Sequence, residues 1–189
     1  MSADVVDRFP QPVAHWFRSS FQRPTSVQAA AWEEISAGRN ALVVAPTGSG
    51  KTLAAFLWSL GQLCRPRSEG TSVQDSAPEQ GVRVVYVSPL KALGVDVDNN
   101  LRAPLKVIVV VVIEKITGVD VASVTVGVRS GDTSQAERAR QVRRPPDILI
   151  TTPESLYLLL TSKGGRMLRT VDTLIIDEVH AVAGTKRGA

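Results

Sequence analysis

From Asn40 to Leu60 the sequence reads NALVVAPTGSGKTLAAFLWSL: an apolar β-branched run, a glycine-rich turn, then a helix-like pattern. This stretch constrains the fold most. A strand that turns through Ala45–Thr52 into a helix aims successive backbone N–H groups and the positive helix end at one point, a cradle for a phosphate chain. Gly48 and Gly50 let the backbone approach, with Thr47 and Ser49 completing the turn. Lys51 is placed to reach β- and γ-phosphates and the Thr52 hydroxyl to hold Mg²⁺. The strict phosphate-loop pattern has Gly where Ala45 stands. A chance glycine-rich turn is the competing account.

Four further apolar runs, VRVVYVSP, ASVTVGV, DILITTP and TLIIDE, alternate with helical composition at Thr52–Leu63, Ser134–Val142 and Glu154–Leu160. Each run is nearly continuous in apolar residues, as parallel strands covered on both faces are. The alternation predicts an α/β domain with a doubly wound, mainly parallel sheet and helices on both faces. At 189 residues, 43% hydrophobic and 21% charged, the chain is sized for one globular domain with a real core. The polar, turn-rich segment Arg65–Gly81 reads as a surface loop. The unbroken apolar run Val107–Ile113 reads as an extra buried strand or as an adhesive segment. It is far shorter than the roughly 20 residues that span a bilayer.

In open α/β sheets ligands gather at the carboxyl ends of the strands, and there the TLII run delivers Asp177 and Glu178. Asp177 is the candidate metal ligand, directly or through water, and Glu178 the candidate to orient and deprotonate an attacking water. With Lys51 they form the candidate catalytic set. Taken alone, such a pair is an ordinary solvated strand terminus. Together with the phosphate loop it is what nucleoside-triphosphate chemistry requires. Two other strand ends combine hydroxyl and proline: Ser88–Pro89 before LKAL, and Thr151–Thr152 before Pro153. Helix-start chemistry accounts for both, and Thr151 with Glu154 fits a capping box. The functional alternative is that Ser88, Pro89, Lys91, Thr152, Pro153 and Glu154 hold nucleic-acid phosphates at exposed helix N-termini. Arg129 joins that set, although VRSGDT, with Asp132, also reads as a tight turn. Arg138, Arg140, Arg143 and Arg144 read as a solvated helix face and its end.

The net charge of +4 permits a polyanionic partner without establishing one. A single cysteine, Cys64, excludes an internal disulfide and a cysteine metal cluster, and His15 and His180 are too far apart in sequence to suggest a zinc site. The amino-terminal stretch has no apolar core of a secretory signal, so a cytoplasmic protein without membrane contact is expected. With 5% aromatic residues there is no evident base-stacking platform, so strand contacts should go to phosphates and be largely independent of sequence.

On these motifs together the chain resembles superfamily 2 helicases, specifically the first RecA-like motor domain of the large helicase-related (Lhr) proteins. FQRPTSVQAAAW resembles the Q motif, APTGSGKT motif I, SPLKALGVDVDNNL motif Ia, TTPESLYLLLTS motif Ib, and DEVHAVAGTKRGA motif II with its flank. The resemblance covers almost the whole chain and departs most clearly at Lys106–Gly118. It implies a RecA-like P-loop NTPase fold with ATP and Mg²⁺ as cofactors. By it, Gln28 reads the adenine edge, Phe21 packs near the base, and His180 couples the nucleotide site to a motif III. For Phe21 and Gln28 alone, a hydrophobic staple and a surface helix residue are the plainer readings. The resemblance further implies ATP-driven 3′-to-5′ movement on single-stranded DNA, unwinding of DNA duplexes and RNA–DNA hybrids, and a role connected with DNA repair. In such motors a second RecA-like domain supplies arginines to the transferring phosphoryl group. Residues 1–189 are therefore expected to be an amino-terminal ATP-binding domain, incomplete after motif II, whose partner motor domain is missing. The alternative is a nucleotide-binding and weak nucleic-acid-binding module without unwinding activity. A P-loop kinase or other small NTPase would explain neither SPLKAL nor TTPES.

Overall fold

The computed structural model describes residues 4–46, 48–63, 81–89 and 124–182. Thr47, Cys64, Lys91, the segment LKAL, nearly all of the loop Arg65–Gly81 and the run Val107–Ile113 lie outside the described residues. The chain divides into two compact units. The described part of the first is 4–46 with 48–63, and that of the second is 81–89 with 124–182.

In the first unit, a 3-10 turn at Val5–Arg8 leads into α1 (Gln11–Ser20), α2 (Ser26–Ser36) and α3 (Lys51–Leu63). Helix α1 buries Val13, Trp16 and Phe17, and α2 buries Gln28, Ala31 and Trp32. Both sets have the i, i+3, i+4 spacing of one helix face. Thr25 starts α2 through a capping box: its side chain accepts from the Gln28 N–H, and the Gln28 side chain accepts from the Thr25 N–H. Trp32 is fully buried at the centre of an aromatic cluster. The rings of Phe9 and Phe17 meet it edge-on at 4.9 and 5.2 Å. Its indole N–H donates to the carbonyl of Ala54 at 3.0 Å, tying α2 to the first turns of α3. Truncating such a tryptophan removes about 3–5 kcal/mol.

The expected strand NALVVAP is not formed. Residues 40–46 are irregular, and Leu42 and Val44 are 80% and 85% exposed. Apolar β-branched composition favours extended backbone, but a strand also needs a ladder partner for its N–H and C=O groups, and none is present among the described residues.

The described residues of the second unit form a four-stranded parallel sheet in the order β2-β3-β1-β4, with β1 Val84–Val87, β2 Val126–Arg129, β3 Ile148–Thr151 and β4 Thr173–Ile176. Helix α4 (Gln135–Arg143) connects β2 to β3. Helix α5 (Pro153–Leu160) and a 3-10 turn at Lys163–Leu168 connect β3 to β4, which is followed by the short helix α6 (Val179–Val182). The central strands β1 and β3 are buried along their whole length, as their sequences predicted. Val82, Val85, Val87 and Leu149 pack against Leu159 of α5 and Met167 of the 3-10 turn. Strand β4 departs from the expectation of two covered faces. Leu174 and Ile176 are in register with Val85 and Val87 yet remain 53% and 48% exposed. Among the described residues β4 pairs on one side only, at the end of the sheet.

Thr151 and Glu154 do not form the expected capping box. Thr151 belongs to β3 and its hydroxyl donates to the Arg129 carbonyl at 2.9 Å. The cap of α5 is Thr152, whose side chain accepts from the Ser155 N–H, with Pro153 opening the helix as its fixed φ favours.

Candidate functional site

In the first unit the turn before α3 has the backbone its glycines were expected to allow. Gly48 and Gly50 have φ of +81° and +86°, a region an L side chain enters only with strain. The Lys51 ammonium donates to the carbonyls of Ala45 and Pro46 at 2.6 and 2.8 Å, so it is folded over its own turn. Thr52 is exposed on the first turn of α3, and the Ser49 carbonyl accepts from Thr25 at 3.1 Å. Gln28 is only 5% exposed and is not a surface helix residue. Beyond its part in the capping box, its amide donates to the Gly50 carbonyl at 3.4 Å, binding the start of α2 to the phosphate-loop turn. Phe21, which follows α1, stacks at 5.0 Å on Phe17, meets Trp16 edge-on at 5.9 Å, and keeps 43% of its surface open.

In the second unit the parallel register brings the carboxyl ends of all four strands to one edge. Val87 is level with Thr151 and with Ile176, and Thr151 with Arg129. The ladder runs on past the strands, with Ser88 N–H donating to Thr151 at 3.1 Å and Asp177 N–H to Val87 at 2.8 Å. Thr152, Ser88 and Asp177 therefore lie level with one another across that edge, on neighbouring strands about 4.8 Å apart, with Arg129 of β2 one residue behind them. Pro89 and Thr152 are buried, the Thr152 hydroxyl being committed to its cap, while Glu154 is exposed. Burial pulls the Arg129 guanidinium below its ordinary pKa, with the nearby Arg138 charge adding to the effect. Arg138 is not simply a solvated face residue. It donates to the carbonyls of Ser130, Gly131 and Thr133 and clamps the turn that carries Asp132. Arg140 pairs with Glu137 at 2.8 Å.

Asp177 is gripped on both oxygens. Its Oδ1 accepts from the Glu178 N–H at 2.9 Å and its Oδ2 accepts from the hydroxyl of Tyr86. Glu178 has a φ of +50°, which costs a non-glycine residue about 1–2 kcal/mol. Its side chain stays exposed and pairs with His180 Nδ1 at 3.3 Å. Sequence reasoning missed Tyr86, which reads as one more apolar residue of a buried strand. Among the described residues no group of three or more His, Cys, Asp or Glu is disposed to hold a metal unaided. A Mg²⁺ carried largely by phosphates needs only one or two protein oxygens; in the first unit the exposed Thr52 is of that oxygen-donor type, and in the second, taken by itself, so is the pre-oriented Asp177 carboxylate. Among the described residues no helix is long and apolar enough to cross a membrane.

Residues 25–189 match the family model described as DEAD/DEAH box helicase. The chain is 54% identical over 187 residues to the Lhr helicase/probable uracil glycosylase of Mycolicibacterium smegmatis, covering 99% of this chain and 12% of that protein. It is 50% identical over 188 residues to the Lhr helicase/uracil glycosylase of Escherichia coli, covering 100% of this chain and 12% of that protein. The solved structure of Mycobacterium smegmatis helicase Lhr bound to ssDNA and AMP-PNP matches with a TM-score of 0.76 at 52% identity, over 98% of this chain and 22% of that chain. The chain thus spans 12% of the length of these two curated relatives.

Proposed function

The chain belongs to the DEAD/DEAH box helicase family, and from that membership we propose that it is the ATP-binding motor half of an ATP-dependent 3′-to-5′ DNA helicase of the Lhr kind. The observation that carries the reading is the turn at Gly48–Thr52, with left-handed glycines, Lys51 and Thr52 at the head of a helix. Backbone N–H groups and the helix end meet the phosphates there. Lys51 exchanges its two carbonyl partners for β- and γ-oxygens, and Thr52 and Asp177 supply oxygens to Mg²⁺. Glu178 orients the attacking water and takes its proton. Mg²⁺, when bound, neutralises charge developing on the phosphates. Gln28 and Phe21 select adenine, the first through its amide and the second through the open face of its ring. The Ser88 hydroxyl, Arg129 and the helix start at Thr152, Pro153 and Glu154 form the track for single-stranded DNA phosphates, with Lys91, after Pro89 in sequence, adding positive charge. The partner this reading calls for is a second RecA-like domain with arginines for the transferring phosphoryl group.

Calorimetric titration of the chain with AMP-PNP and Mg²⁺ tests the proposal. Wild type should bind, Lys51→Ala should bind at least about tenfold more weakly, the loss of roughly one charge-assisted hydrogen bond, and the guanine analogue should bind less well than AMP-PNP. A folded wild-type chain that binds neither nucleotide would overturn it.

A further inference from the structure

Tyr86 lies in the middle of β1, only 4% exposed, in a strand whose other residues are all valine. A phenol is a costly choice there, because a buried hydroxyl without a partner loses about 1–3 kcal/mol. Its partner is set by register. Tyr86 is level with Ile175 of β4, and Asp177 lies on the same face two residues further on, about 6.6 Å along the strand. A tyrosine side chain leaning along its strand spans that distance, and its hydroxyl donates to Asp177 Oδ2. A phenol, with an ordinary pKa of about 10, is an uncharged donor at neutral pH.

That neutrality has a chemical point. An arginine or lysine in the same place would fix Asp177 equally well but would cancel the charge a divalent cation needs. Phenylalanine would fill the same space and leave Oδ2 free to rotate away. The phenol orients the carboxylate and leaves its charge intact. With Oδ1 held by the Glu178 N–H, both oxygens are fixed, and each keeps a lone pair for a metal or its water.

We propose that Tyr86 is a positioning residue for the nucleotide-bound Mg²⁺, acting through Asp177, an assignment that rests on Asp177 having the metal role given above. Outer-shell partners of this kind typically change metal affinity 10–100-fold. The test is the ratio of AMP-PNP dissociation constants in EDTA and in Mg²⁺, measured by calorimetry for wild type, Tyr86→Phe, Asp177→Asn and the double variant. Tyr86→Phe should leave the EDTA constant unchanged and shrink the ratio about tenfold. In the Asp177→Asn background it should change nothing further. An unchanged ratio, or an equal weakening with and without Mg²⁺, overturns the assignment alone, and a wild-type chain that binds no nucleotide removes the functional reading with it. The intact chain offers a second measurement should Tyr86→Phe unfold. Tyr86 and Tyr157 are the two tyrosines, so 3-fluorotyrosine labelling with Tyr157→Phe isolates one fluorine resonance. It should move when Mg²⁺ is added to the AMP-PNP complex and stay still in Asp177→Asn. A resonance indifferent to Mg²⁺ in the wild-type chain would contradict the proposal.

Discussion

At Gly50 two requirements meet in one residue. Its φ of +86° suits glycine alone, and a Cβ built there would stand 2.4 Å from the Gln28 side-chain nitrogen. Gly50→Ala is therefore strained by its backbone and also forces the Gln28 amide off the Gly50 carbonyl. We expect it to lower stability in urea unfolding by about 1–3 kcal/mol, the range for a residue held in a sparsely populated region. Nucleotide binding should fall with it, since the displaced amide is the one proposed to select adenine. The sequence named both Gly50 and Gln28, but only the fold shows that they press on one another. Tyr86 went unread for a related reason: its hydroxyl gains meaning only from the two-residue offset to Asp177, and a one-dimensional pattern carries no register between strands.

At the scale of elements, α5 gives the sharpest test of where its cap lies. Thr152→Ala should cost about 1 kcal/mol by loss of the bond to the Ser155 N–H, and a denaturant midpoint comparison measures it. The helices α3, α4 and α5 were legible because helical composition is a local signal, sharpened at α5 by a threonine and a proline at its start. Strands β1 and β3 were legible because burial on both faces leaves an unbroken apolar run. Local signals fail where a partner decides the outcome. NALVVAP has strand composition, yet residues 40–46 have no ladder among the described residues. Leu174 and Ile176 are as apolar as their neighbours in β1, yet they stay half in water on a strand that, among the described residues, pairs on one side only. Arg138 looked like one arginine among four until the turn at Ser130–Thr133 supplied the three carbonyls that claim it.

At the scale of the molecule, the net charge of +4 and the scarcity of aromatic residues bear on nucleic acid together. Binding of single-stranded DNA should weaken with salt by about 0.7 logarithmic units per phosphate contact for each tenfold rise. Oligothymidine and oligoadenosine should bind with similar affinity, and filter binding across a salt series checks both. A marked preference for one base would point to stacking instead. The aromatic residues are scarce but segregated: all four phenylalanines and all three tryptophans fall between Phe9 and Trp58, in the first unit, and both tyrosines in the second. Light that excites indole but not phenol therefore reads the first unit alone, through Trp16, Trp32 and Trp58. Each unit carries its own natural chromophore, and an unlabelled sample taken through a urea series can reveal whether the two lose structure together or in turn.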